Sequence, residues 1–177
     1  NSDEVTIGKQ VWMTQNLNVD KFRNGDPIPE AKTDAEWTAA GENKQPAWCY
    51  YENDPKNGAK YGKLYNWYAV NDPRGLAPKG WHIPTDAEWT ELTDYLGGIE
   101  KAGAKMKSKE GWSNGGNGTN SSGFSGLPGG LRSSYGSFAN IGSYGVWWSS
   151  TESGTDDAWY RNLYCSSGPV YRGNYNK

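Results

Sequence analysis

The chain has 177 residues, enough for one domain with a proper core, and its formal charge of -2 comes without any Lys or Arg cluster. That balance excludes the electrostatic footprint of a nucleic-acid binder and a polybasic membrane contact, and no apolar run nears the roughly 18 residues of a membrane span. Hydrophobic residues make up only 34%, yet 10 Trp, 12 Tyr and 3 Phe predict an aromatic core, and 24 Gly predict many turns and irregular connections.

The opening segment VTIGKQVWMTQNL reads as a β-hairpin about a Gly-Lys turn, with Val5, Ile7, Val11 and Met13 at alternate apolar positions. Residues 20 to 32 are polar, carry Pro27 and Pro29, and read as loop. TDAEWTAA (33 to 40) and TDAEWTEL (85 to 92) share six residues, and in each a Thr stands three before a Glu, the capping box that starts a helix. The first helix must be short because Gly41 follows, whereas the second continues through Leu92, Tyr95 and Leu96 to Gly97-Gly98. Between them, YGKLYNWYAV puts Tyr61, Leu64, Tyr65 and Tyr68 on one helical face. SNGGNGTNSSG (113 to 123) has little that could pack and reads as a mobile surface loop. From Phe124 onward, short aromatic and aliphatic runs divided by Gly and Ser predict strands. The order gives a single α+β domain over residues 1 to 177.

Few constellations carry chemistry. His82 is the only histidine, and it reads as a packed or capping residue at a helix entrance, although a pocket around it with acidic neighbours would revive an enzyme. Cys49, His82 and Cys165 lack zinc spacing, and the Gly-rich stretches lack the Lys of a phosphate loop, so neither a metal nor a cofactor is expected. Asp86 and Glu88 belong to a helix start, where negative charge favours the macrodipole. Asp156 and Asp157, with Glu152 and Ser153, read either as a solvated turn or as oxygen ligands for Ca²⁺. A Cys49–Cys165 disulfide stays open.

KQVWMTQNLN, YGKLYNWYAV, GWHIPTDAEWTELTDYLGG, SGFSGLPGGLR, GVWWSSTES and AWYRNL, in this order across nearly the whole chain, resemble the Fibrobacter succinogenes major paralogous domain, a family of bacterial surface and secreted domains. NWYAV followed by GWHIPTDAEW is also similar to formylglycine-generating-type domains. The resemblance implies a C-type lectin-like fold with two main helices, short antiparallel strands and much loop, and places the hairpin beside the C-terminal strands. It implies an extracellular or cell-surface location, with the export signal outside these 177 residues. Formylglycine generation would need a catalytic cysteine arrangement, and Cys165 has no partner nearby in sequence, so no enzyme is expected. Members usually run on to a strand ending in Arg-Cys beyond a segment like YRGNYNK; the sequence stops at Lys177, so a truncation or a replaced closing strand is expected.

In AWYRNLY, alternation puts Trp159, Arg161 and Leu163 on one face and Tyr160, Asn162 and Tyr164 on the other. The first set, with Trp147 and Trp148, is expected in the scaffold, and the second at the surface. Around them, residues 153 to 176 use Ser, Gly, Thr, Asp, Tyr and Asn, the palette of a paratope. The lectin-like fold is also the scaffold of variable proteins from diversity-generating retroelements. Asn codons altered only at adenine cannot yield Lys, Glu, Gln, Met or Trp, and of these only Trp159 occurs between 153 and 176. Any Tyr-Ser-Gly surface of that length would look similar, so both readings stand. The expected function is a non-catalytic binding domain for a protein or glycan, through Tyr160, Asn162, Tyr164, Tyr171 and Tyr175, with Ser153, Asp156, Asp157, Ser166, Ser167 and Asn174 at the margin. A carbohydrate-binding module is the alternative.

Overall fold

The computed structural model describes residues 3–177; Asn1 and Ser2 of the expected domain lie outside the described residues. Strands β1 (Glu4–Ile7) and β2 (Gln10–Met13) form the predicted hairpin, turning at Gly8, whose φ of 63° suits glycine. Its register differs from simple alternation. Val5 faces Trp12 and Ile7 faces Gln10, so Trp12 is buried while Val11 turns outward, 52% exposed. The two-residue turn inverts parity between the strands, which is why Val11 and Met13 do not share a face with Val5 and Ile7. The hairpin is a sheet of its own rather than an addition to the C-terminal strands. It meets them through the core, where Ile7 and Trp12 pack in one cluster with Leu163 and Val170.

Helix α1 (Asp34–Glu42) starts at the expected capping box on Thr33. Strand β3 (Trp48–Cys49) follows, and then YGKLYNWYAV breaks the expected helical face into three pieces. Helix α2 (Pro55–Tyr61) stops at Gly62, whose φ is 73° and where a Cβ would lie 2.6 Å from the Leu17 carbonyl oxygen. Strand β4 (Leu64–Tyr65) then pairs with β3, and helix α3 (Trp67–Val70) begins afresh because the Asn66 side chain accepts from the Ala69 amide. Local capping thus overrides the i, i+3, i+4 spacing.

Helix α4 (Asp86–Tyr95) has its capping box on Thr85 and ends before Gly97 and Gly98, as read. A further helix, α5 (Ile99–Met106), was not expected; it buries Ala102, Gly103 and Met106. The Gly-rich stretch 113 to 123 is a fastened strap rather than a free loop. Gly118 and Thr119 donate backbone hydrogen bonds to Ser108 and Ala104 at 2.9 and 2.8 Å, and a Cβ on Gly118 would lie 2.5 Å from the Ala104 oxygen. Glycine there permits close approach, which composition alone reads as looseness.

A small hairpin, β5 (Leu131–Arg132) with β6 (Phe138–Ala139), precedes a three-stranded antiparallel sheet of β7 (Tyr144–Glu152), β8 (Asp157–Tyr164) and β9 (Tyr171–Asn176), with β8 in the middle. The architecture is α+β, with short antiparallel sheets joined by long irregular segments. Its core is aromatic, as the composition predicts. Trp12, Trp89, Trp112 and Phe124 centre one cluster, and Phe22, Trp48 and Trp67 a second. Trp89 is 2% exposed, with the Trp12 ring 4.7 Å away.

Candidate functional site: a tyrosine face on the C-terminal sheet

Strand register sorts the C-terminal residues into two faces. Across β7, β8 and β9, the lines Tyr144–Tyr164, Val146–Asn162–Tyr171 and Trp148–Tyr160–Gly173 share one face, with Tyr175 opposite Ala158 at its end. The other face carries Trp147, Arg161 and Leu163, and it packs on α4 and the first core cluster. There Arg161, with a side chain 2% exposed, meets the Asp86 carboxylate at 2.7 Å, and Arg172 meets the same carboxylate at 2.8 Å.

On the first face, Trp148 closes one end by donating its indole N–H to the Tyr65 carbonyl at 3.0 Å. The remainder is a field of tyrosines. Tyr144 and Tyr164 meet edge to face at 4.6 Å between centroids, and Tyr171 stands 6.2 Å from both Tyr160 and Tyr164. Gly173 makes room for them, since a Cβ there would lie 2.7 Å from the Tyr171 ring and 3.1 Å from that of Tyr160. Tyr144, Val146, Tyr160, Asn162, Tyr164 and Tyr175 line one part of an extended cleft of about 1020 Å³ that also runs past the N-terminal hairpin, Tyr65, His82 and Arg132. Burial first, then the neighbouring tyrosines, pushes the Tyr160 hydroxyl up to about 12.

The alternation in AWYRNLY holds as geometry but not as exposure. Leu163 and Arg161 are buried as expected, whereas Trp159 is half-buried beneath the Arg172 guanidinium, 3.6 Å from its ring centroid. Asn162, expected at the surface, is 3% exposed, and Tyr160 and Tyr164 are half-buried. The reason is position: β8 is the central strand, and side chains of β7 and β9 crowd it from both sides. Asn162 Oδ1 is buried without a hydrogen-bond partner.

The structure therefore unites Tyr160, Asn162, Tyr164, Tyr171 and Tyr175 and separates the rest. Asn174 is exposed but pairs with Trp159, on the opposite face. Ser153 and Asp156 lie in the β7–β8 connection and Asp157 opens β8; there Lys177 Nζ donates to the Gly154 and Thr155 carbonyls and pairs with Glu152. Ser166 and Ser167 sit at the other end, in the β8–β9 turn. Beneath that turn the buried Lys107 ammonium donates to the carbonyls of Tyr164, Ser167 and Gly116 at 2.5, 2.8 and 3.4 Å. Sequence reasoning missed Tyr144 and Val146, although the period-two run GSYGVWW carries that signal, and missed Gly173 as the spacer.

His82 is exposed and lies along the same cleft, its Nε2 2.7 Å from a Glu88 carboxylate, so the acidic neighbour that would revive an enzyme is present, but that carboxylate also accepts from the Thr85 amide and caps α4. Among the described residues, no three His, Cys, Asp or Glu side chains gather as a metal site. Cys49 and Cys165 are both free thiols, which closes the open question of their pairing; Cys49 lies in a separate small cluster with Ala31, Trp37 and Ala47.

These features define a small α+β domain that presents a tyrosine-rich sheet face beside a cleft. The chain belongs to the Fibrobacter succinogenes major domain family, whose model matches residues 5–177. No curated protein and no solved structure matches it.

Proposed function

We propose that this chain is a non-catalytic ligand-binding domain, built on a C-type lectin-like scaffold in a secreted or cell-surface bacterial protein, that binds a protein or a glycan through its C-terminal sheet. The observation that carries the reading is the gathering of Tyr144, Tyr160, Tyr164, Tyr171 and Tyr175 on one sheet face. Tyrosine supplies large, rigid contact area at small entropic cost, and tyrosine hydroxyls add hydrogen bonds. The composition of residues 153 to 176 supports diversification of this surface by a retroelement. A template repeat near the coding locus, differing at adenines, is the expected mark of that process.

Tyr171 and Tyr175 are 49% and 39% exposed, so replacing both by Ser should leave stability within about 0.5 kcal/mol per site. The test is to probe a glycan array and a displayed peptide library with the wild type and with the Tyr171→Ser/Tyr175→Ser variant. Hits lost by the variant support the reading; hits that the variant retains, or an absence of hits in both libraries, overturn it.

A further inference from the structure

The Asn162 side chain is buried at the centre of the tyrosine face, and its Oδ1 accepts nothing from the protein. A buried acceptor without a partner costs about 1–3 kcal/mol, and Leu, of nearly the same volume, would avoid that cost. Asn162 lines the cleft, flanked along β8 by Tyr160 and Tyr164 and faced across the strands by Val146 and Tyr171.

We infer that Asn162 is the specificity-determining residue of this face, and that its Oδ1 accepts a hydrogen bond from a hydroxyl of a neutral saccharide held among the rings of Tyr160, Tyr164 and Tyr171. The inference rests on the reading of the tyrosine face as a binding surface and adds the class of ligand. Three observations select that class. The register neighbours of Asn162, namely Val146, Tyr160, Tyr164 and Tyr171, are all uncharged; the ionised groups stand apart from it, Glu152 at the end of the face opposite Ala158 and paired with Lys177, and Lys63, Glu88 and Arg132 elsewhere along the cleft, so nothing beside Asn162 favours a charged ligand. Asn162 is on the central strand, whose backbone is paired on both sides, so an extended peptide finds no main-chain partner over it. What remains is aromatic surface for C–H faces, tyrosine hydroxyls and one sunken acceptor, which together match a ring bearing hydroxyls. Asn162 Oδ1 is covered, so a neighbouring ring moves when the ligand enters, and Tyr171, opposite Asn162 on the edge strand, is the most exposed of the three rings.

The test uses the whole chain labelled with ¹⁵N-asparagine. The Asn162 side-chain amide signal is identified by its absence in Asn162→Leu. The probes are glucose, galactose, mannose and N-acetylglucosamine with their disaccharides, then glucuronic acid and glucosamine as charged counterparts, and N-acetyl-trialanine amide as the peptide. A neutral sugar should shift the Asn162 amide and the tyrosine ring signals saturably, and Asn162→Leu should weaken that binding about tenfold, as for loss of one buried hydrogen bond. Asn162→Leu should melt at or above the wild-type temperature. A markedly lower melting temperature would give Asn162 a structural role and overturn the inference. So would tighter binding of the charged sugars, or sugar binding that Asn162→Leu leaves intact. Peptide binding that moves the β9 amides but not the Asn162 amide would overturn the saccharide class while keeping the binding surface. If no probe moves a tyrosine ring signal, the inference and the binding surface fall together.

Discussion

Asp86 at the first turn of α4 and Arg161 on the middle strand of the C-terminal sheet meet at 2.7 Å, joining elements 75 residues apart. Burial opposes ionisation of Asp86, but the hydrogen bonds and charges of Arg172 and Arg161 outweigh it and hold the carboxyl below its ordinary pKa. Asp86→Asn leaves the guanidinium of Arg161 buried without a counter-charge, and should cost about 3–5 kcal/mol in chemical denaturation at neutral pH.

The same pair predicts an acid dependence. A carboxylate whose folded pKa is depressed gives stability that is fully present above its unfolded pKa, about 3.9, and is lost as pH falls through the lower folded value. The stability gap between wild type and Asp86→Asn should stay constant from pH 7 to about 5 and then shrink below about pH 4. A gap that is independent of pH would show that Asp86 acts through shape alone.

Trp89 is buried against Trp12 in the main aromatic cluster. Trp89→Ala should cost about 3–5 kcal/mol, read from the denaturation midpoint, because the surrounding rings cannot close so large a cavity.

Gly103 lies inside α5, where alanine ordinarily stabilises a helix by about 1 kcal/mol. Here the sign should reverse. A Cβ at Gly103 would fall 1.8 Å from the backbone oxygen of Gly168, in the β8–β9 turn, so Gly103→Ala should destabilise by about 1–3 kcal/mol. A raised melting temperature would mean that the turn yields.

Burial raises the Cys49 thiol to about 11, whereas Cys165 is half-buried. A thiol reagent should modify one cysteine in the folded protein and two in denaturant, with mass mapping placing the native adduct on Cys165.

What the sequence disclosed, and what it hid, follows the range of the interactions. Both capping boxes were legible because Thr and Glu three residues apart settle the matter locally. The faces of AWYRNLY were legible because pleating fixes parity, but exposure was not, since the burial of Asn162 depends on strands far along the chain. The helical spacing of YGKLYNWYAV misled because Gly62 and Asn66 reset the backbone between matching positions. Asp86 read as a helix-start charge, and nothing near it in sequence announces Arg161 and Arg172.

Lys107 lies outside the segment 153 to 176, yet its ammonium clasps the Tyr164 carbonyl at the start of the turn and the Ser167 carbonyl within it. Carbonyls are common to every residue type, so the anchor is indifferent to the side chains above it. The side chains of Ser166 and Ser167 can therefore change while this part of the turn keeps its outline, in the way a typesetter changes type within a locked frame, whereas Val170, buried in the core, stays fixed.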